Sequence, residues 1–159
     1  MNRILCFIVL IVMFGSCKTR DKKGSDADTF NKMEMMNTDR EFSKMSEEKG
    51  MKNAFIDYLD SNGVLLRSNR LPIAGADAID YLIQQNDADY TLTWEPSGGT
   101  VAQSGELGYT YGVYAIRPSK KDTVIYGTYV SVWKKQKDGT WKYILDSGNE
   151  GIGDAKNEE

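Results

Sequence analysis

The sequence contains no histidine. That removes the side chain that titrates nearest neutral pH and the commonest metal ligand, and with it His-activated nucleophiles and His-based metal sites. Cysteine is almost as scarce. The two that occur, Cys6 and Cys17, both lie near the N-terminus, so the rest of the chain can carry neither a disulfide framework nor a cysteine zinc site. There is no basic block, and the formal net charge is −3 with both signs interspersed. That pattern argues against a nucleic-acid partner. Long hydrophobic runs are missing too: Ile4–Phe14 is the one sustained apolar stretch. It falls short of the about 20 residues a helix needs to span a bilayer.

What is present at the N-terminus is an address. Met1-Asn2-Arg3 is a short positive start, Ile4–Phe14 fits the apolar part of a secretory signal, and Gly15-Ser16-Cys17 follows. This resembles a bacterial lipobox, with Phe14 where such boxes usually have leucine. The resemblance implies lipidation of Cys17, attachment to the cell envelope, and, from Lys18 after the cysteine, sorting to an outer membrane. Ordinary secretory cleavage near Ser16 is the alternative. Lys18–Ala27 is charged and small without apolar periodicity, and reads as a solvated tether.

The remainder, 28–148, suits one domain: the chain of 159 residues is 40% apolar and 27% charged. Asp28-Thr29 can cap a helix running to about Lys49, with Met35, Thr38, Phe42 and Met45 as an apolar stripe. Gly50 breaks it. Met51, Ala54, Phe55, Tyr58 and Leu59 then fall on one helical face. Asp60-Ser61-Asn62-Gly63 reads as a turn, Val64–Arg67 as a short strand, and Ala76–Gln85 as a third helix with Ile79, Leu82 and Ile83 inward.

All three tryptophans and most of the tyrosines lie between Thr91 and Asp146. Tyr90–Glu95 alternates as a strand, Pro96–Gly99 reads as a turn, and Thr100–Gln103 as a further strand. Leu107–Arg117, Thr123–Lys135 and Trp141–Ser147 are long strands, the last two joined at Asp138-Gly139. Gly108, Gly112 and Gly127 stand inside strands, where glycine marks bulges or close approaches, and so predict a curved sheet. Residues 149–159 are acidic and expected to fray.

Helix, helix, short strand, helix and then long antiparallel strands is the order of the cystatin-like α+β cone. Asp39-Arg40-Glu41-Phe42, Ala54-Phe55 with Tyr58, Gly75–Ile79, Ser104–Tyr114 and Tyr126–Gly148 with its Asp138-Gly139-x-Trp141-Lys142 resemble the NTF2-like superfamily. Within it they are most similar to the DUF4440 and SnoaL-like group that includes ketosteroid-isomerase-like proteins. The resemblance implies three helices packed on a strongly curved antiparallel sheet, a conical pocket, and dimerisation through the sheet's outer face. It implies no particular reaction.

The isomerase pattern places an Asp base on the strand after the second helix, with a tyrosine and a protonated Asp holding the oxyanion. Here Arg67-Ser68 stands about where the base belongs, and Val130–Val132 holds no acid where the second Asp belongs. The acids that remain as catalytic candidates are Asp39 and Asp146, with Tyr58 as a partner. Each also has a plain structural use as a cap, ion pair or core residue. Tyr58, Arg67, Trp94, Tyr111 and Tyr126 are the expected pocket lining. No metal or cofactor is expected. The sequence thus points to an envelope-attached domain that binds a small, largely apolar ligand or a protein partner, without catalysis. The alternatives are a cofactor-independent Asp/Tyr enzyme of isomerase or hydrolase type, and a pure dimerisation or interaction module.

Overall fold

A computed structural model describes residues 22–152, with side chains from residue 28 onward. The signal, Cys17, the start of the tether and the end of the acidic tail lie outside the described residues. The elements are α1 (Lys22–Lys49), α2 (Met51–Tyr58), β1 (Leu59–Leu66), β2 (Ile73–Ala74), α3 (Ala76–Ile83), β3 (Tyr90–Val101), β4 (Leu107–Pro118), β5 (Ile125–Lys135) and β6 (Trp141–Glu150). They form one sheet in the order β2-β1-β6-β5-β4-β3. The long strands β3 to β6 pair antiparallel, whereas β1 lies parallel to β6. This is the expected α+β cone, with its helices against a curved sheet that one parallel pairing makes mixed.

Several boundaries differ from the sequence reading. Helix α1 begins at Lys22, inside the stretch read as tether. Once a helix is anchored by packing, each added residue gains a hydrogen bond without a new nucleation cost. Pro96–Gly99 does not reverse the chain. Strand β3 runs through it with a register shift, pairing Pro96 with Gly112 and Gly98 with Tyr111 of β4. Asp60–Gly63 likewise forms a bulge within β1, where Asp60 Oδ1 accepts the Asn62 amide at 2.9 Å. Turn residues of this kind bend a strand when pairing partners are available on both sides. Beyond Ser147, β6 stays paired with β5 as far as Glu150 opposite Gly127.

The interior glycines explain the curvature. Gly108 pairs with Trp133, Gly112 with Tyr129, and Gly127 with Tyr114. Each glycine faces a large ring across the ladder, and a Cβ on Gly112 or Gly127 would run into that ring and into neighbouring backbone. Missing side chains on one strand let rings from the next lie across the concave face, which draws the sheet around them.

The core is aromatic. The Phe42 ring centroid lies 4.5 Å from Trp94, 4.8 Å from both Phe55 and Tyr58, and 5.5 Å from Tyr143. Burying a side chain such as Phe42 contributes about 1.5–3 kcal/mol. Helix α1 lies along the free edge of β3, and its buried face is not the simple apolar stripe expected. It carries Asp39, Ser43 and Ser46 alongside Met35 and Phe42. Ser43 Oγ accepts the Trp94 amide at 2.8 Å, and Ser46 Oγ donates to the Leu92 carbonyl at 2.7 Å. The helix thereby satisfies backbone groups that a bare sheet edge would offer to another chain. Helix α3 buries Ala78 and Leu82, but Ile83 at its end is exposed.

Candidate functional site

Between the concave face of the sheet and helices α2 and α3 is a cavity of about 400 Å³. This is within the size range of sites for small organic ligands. Phe55 and Met51 of α2, Leu82 of α3, Leu92 and Trp94 of β3, and Tyr114, Ile116 and Tyr129 of β4 and β5 supply an apolar wall. Arg67, Ser68, Ser131, Asp146 and Ser147 gather polar groups at one side. A second hollow of about 470 Å³ lies outside α1 and β3. It is broader but shallow and charged, and its Arg40 and Arg117 are already bonded to Glu95 and Thr93. The apolar cavity is therefore the better ligand site.

Strand alternation decides which predicted residues reach it. Arg67 and Trp94 line the cavity. Tyr111 and Tyr126 do not: they stand on the convex face, 49% and 44% exposed. Successive residues of a strand point to opposite sides, and on each of these strands it is the other face that is concave. Tyr114 and Tyr129 occupy the positions expected of them. The signal was the small residues: Gly108, Thr110 and Gly112 share a face with Tyr114, where opposing rings need room. Tyr58 also lies outside the cavity. It stacks on the far side of Phe42, with the Lys142 ammonium 5.7 Å from its ring centre. One turn earlier on α2, Phe55 takes the inward position. Tyr90, Phe55 and Ser131 are lining residues that sequence reasoning missed.

Among the described residues two carboxylates are buried, and each has its own kind of partner. Asp39 has no exposed surface. Its Oδ1 accepts Trp94 Nε1–H at 2.8 Å and its Oδ2 accepts the Tyr129 hydroxyl at 2.7 Å. Burial pushes its pKa up, against the lowering effect of hydrogen bonds from Tyr129, Trp94 and Thr110; the charge of Asp146 adds to the rise. Burial, then the Asp39 charge and hydrogen bond, push the Tyr129 hydroxyl up as well. Asp39 lies behind the wall formed by Trp94 and Tyr129 and is not part of the cavity lining. It fixes the two rings that are.

Asp146 lines the cavity itself. Its Oδ1 accepts Arg67 Nη2–H at 2.7 Å, and its Oδ2 accepts the Ser131 hydroxyl at 2.9 Å. Arg67 Nη1 donates to the carbonyls of Leu66 at 2.9 Å and Asp146 at 3.1 Å. The guanidinium carbon sits 5.7 Å from the Phe55 ring centre. So Arg67 does not stand in for a base. It neutralises the acid beside it. Among the described residues, no three metal-capable side chains come together.

No protein-family model and no curated protein matches the chain. Solved structures do. An NTF2-like protein with a cystatin-like fold from Novosphingobium aromaticivorans matches with TM-score 0.65 at 13% identity, over 87% of this chain and 94% of that one. A ketosteroid isomerase-like protein from Erwinia carotovora atroseptica matches with TM-score 0.57 at 12% identity, over 74% of this chain and 94% of that one. An NTF2-like superfamily protein from Salmonella enterica serovar Typhimurium gives TM-score 0.59 at 9% identity, over 81% and 98%. At such identities the likeness carries the fold and not the activity. The described chain thus has the cystatin-like α+β fold of the NTF2-like proteins.

Proposed function

We propose that this is a binding domain of the DUF4440 and SnoaL-like kind, which takes a small, largely apolar molecule into its conical cavity without turning it over. One observation carries the reading: about 400 Å³ of space lined mainly by rings and aliphatic side chains, with a single polar side. The acids support binding over proton transfer. Asp146 already accepts a hydrogen bond at each oxygen, and Asp39 is sealed behind Trp94 and Tyr129. A general base must reach the proton it removes; Asp39 is walled off from the cavity, and Asp146 is held as the counter-ion of Arg67. The test is to purify the full chain from its native host without refolding, extract it with organic solvent and analyse the extract by mass spectrometry. A stoichiometric small molecule is the expected result; an empty protein that takes up no hydrophobic probe overturns the reading.

The same proposal places the domain on the cell envelope through a lipid on Cys17. Metabolic labelling with an alkyne fatty acid should mark the wild type and not Cys17→Ser. No described helix is long and apolar enough to cross a membrane. The convex face favours a second role beside ligand binding. It exposes Leu107, Tyr109, Tyr111, Val113 and Tyr126, a patch suited to self-association. Light scattering should give a dimer that Tyr111→Glu disperses.

A further inference from the structure

The polar side of the cavity limits what its occupant can be. Arg67 and Asp146 are a matched pair 2.7 Å apart, with side chains 23% and 8% exposed, so the guanidinium charge is already balanced before anything binds. Both Nη1 hydrogens and one on Nη2 are committed to Leu66 and Asp146. The Nε–H and the second Nη2–H have no partner among the described residues. Nor has the Tyr90 hydroxyl; Tyr90 and Arg67 line the one cavity. Arg67 thus keeps two donors free on this side, next to hydroxyls that can donate or accept.

We infer that the occupant is an uncharged molecule that offers one oxygen acceptor, a carbonyl or hydroxyl, to the free N–H groups of Arg67 beside Tyr90. This rests on the cavity being a ligand site. A carboxylate ligand would add a second negative charge next to Asp146, with Glu150 also lining the cavity. One cation would then face two or three anions in a low-dielectric site, and the excess charge would stay uncompensated. An ammonium ligand would meet like charge from Arg67, with Asp146 already bonded at both oxygens and only the exposed Glu150 left to pair with it. A pure hydrocarbon would fill the wall and leave the donors dry and unpaired. A neutral acceptor meets neither penalty.

Three bicyclic probes of matched shape separate these cases by isothermal titration calorimetry on the full chain: 2-acetonaphthone, 2-naphthoate and 2-ethylnaphthalene. The ketone should bind at least about tenfold more tightly than either of the others, as expected for a hydrogen bond to a charged donor. The paired variant Arg67→Met/Asp146→Asn avoids leaving a lone buried charge. It should bring the ketone to within about threefold of the hydrocarbon, the share left to Tyr90. Tyr90→Phe, which leaves the ion pair intact, should weaken the ketone alone by about threefold, as expected for one neutral hydrogen bond. Tightest binding by naphthoate would make this an anion site and overturn the inference. Equal binding of ketone and hydrocarbon by the wild type would overturn it while leaving the cavity reading intact. If none of the three binds, the cavity reading fails and this inference with it.

Discussion

Asp39 and Asp146 are both buried acids within one core, yet they are held in opposite ways. Asp39 is surrounded by uncharged donors, Trp94 and Tyr129, and burial raises its pKa. Asp146 is held by the Arg67 guanidinium and Ser131 at the cavity itself. The first acid positions the wall; the second balances the charge of the floor. Burial alone therefore does not make an acid a catalyst, because its partners decide whether it has anything left to offer.

The comparison breaks hardest at Arg67. Arg67→Met leaves Asp146 buried without its cation and should cost about 3 kcal/mol in urea unfolding. Adding Asp146→Asn should restore most of that loss, because no charge then remains to be buried. Asp39→Ala comes next, at about 2–3 kcal/mol, since Trp94 Nε1–H and the Tyr129 hydroxyl both lose their acceptor. Loss of near-ultraviolet circular dichroism from Trp94 should accompany it.

Dependence on pH sharpens the contrast. The folded pKa of Asp39 is raised above its ordinary value of 3.8. Between that value and the raised one, the folded state binds more protons than the unfolded state. Stability from this group is greatest below pH 3.8 and declines as pH rises through the window. Asp39→Asn should abolish that decline, which unfolding curves at pH 4 and pH 7 would detect as a smaller difference than in the wild type. The smallest effects lie at the helix and on the convex face. Ser43→Ala removes the acceptor for the Trp94 amide and should cost about 1 kcal/mol. Tyr126→Ser should stay within about 0.5 kcal/mol, because that ring touches neither core nor cavity.

Much of this architecture was legible in the chain. The order of elements, the long strands and the curvature implied by Gly108, Gly112 and Gly127 follow from local chemistry. Which face of β4 turns inward does not. Tyr111 and Tyr114 belong to one strand, and the choice between them depends on Trp133 and Tyr129 lying over glycines of the neighbouring strand. That is information about pairing register, held in no single segment. The role of Asp39 was hidden for the same reason, since Trp94 and Tyr129 come from distant parts of the chain. Arg67 was recognisable as a departure from the isomerase pattern, but its pairing with Asp146 requires β1 to lie parallel beside β6. Parallel neighbours leave no hairpin signal between them.

The most direct test of the central claim is to fill the cavity and ask what is lost. Ile116→Trp adds a large ring to its wall. Native mass spectrometry of the full chain should show a small-molecule adduct on the wild type and none on Ile116→Trp, with both proteins folded. An adduct of equal mass and occupancy on both would contradict the account.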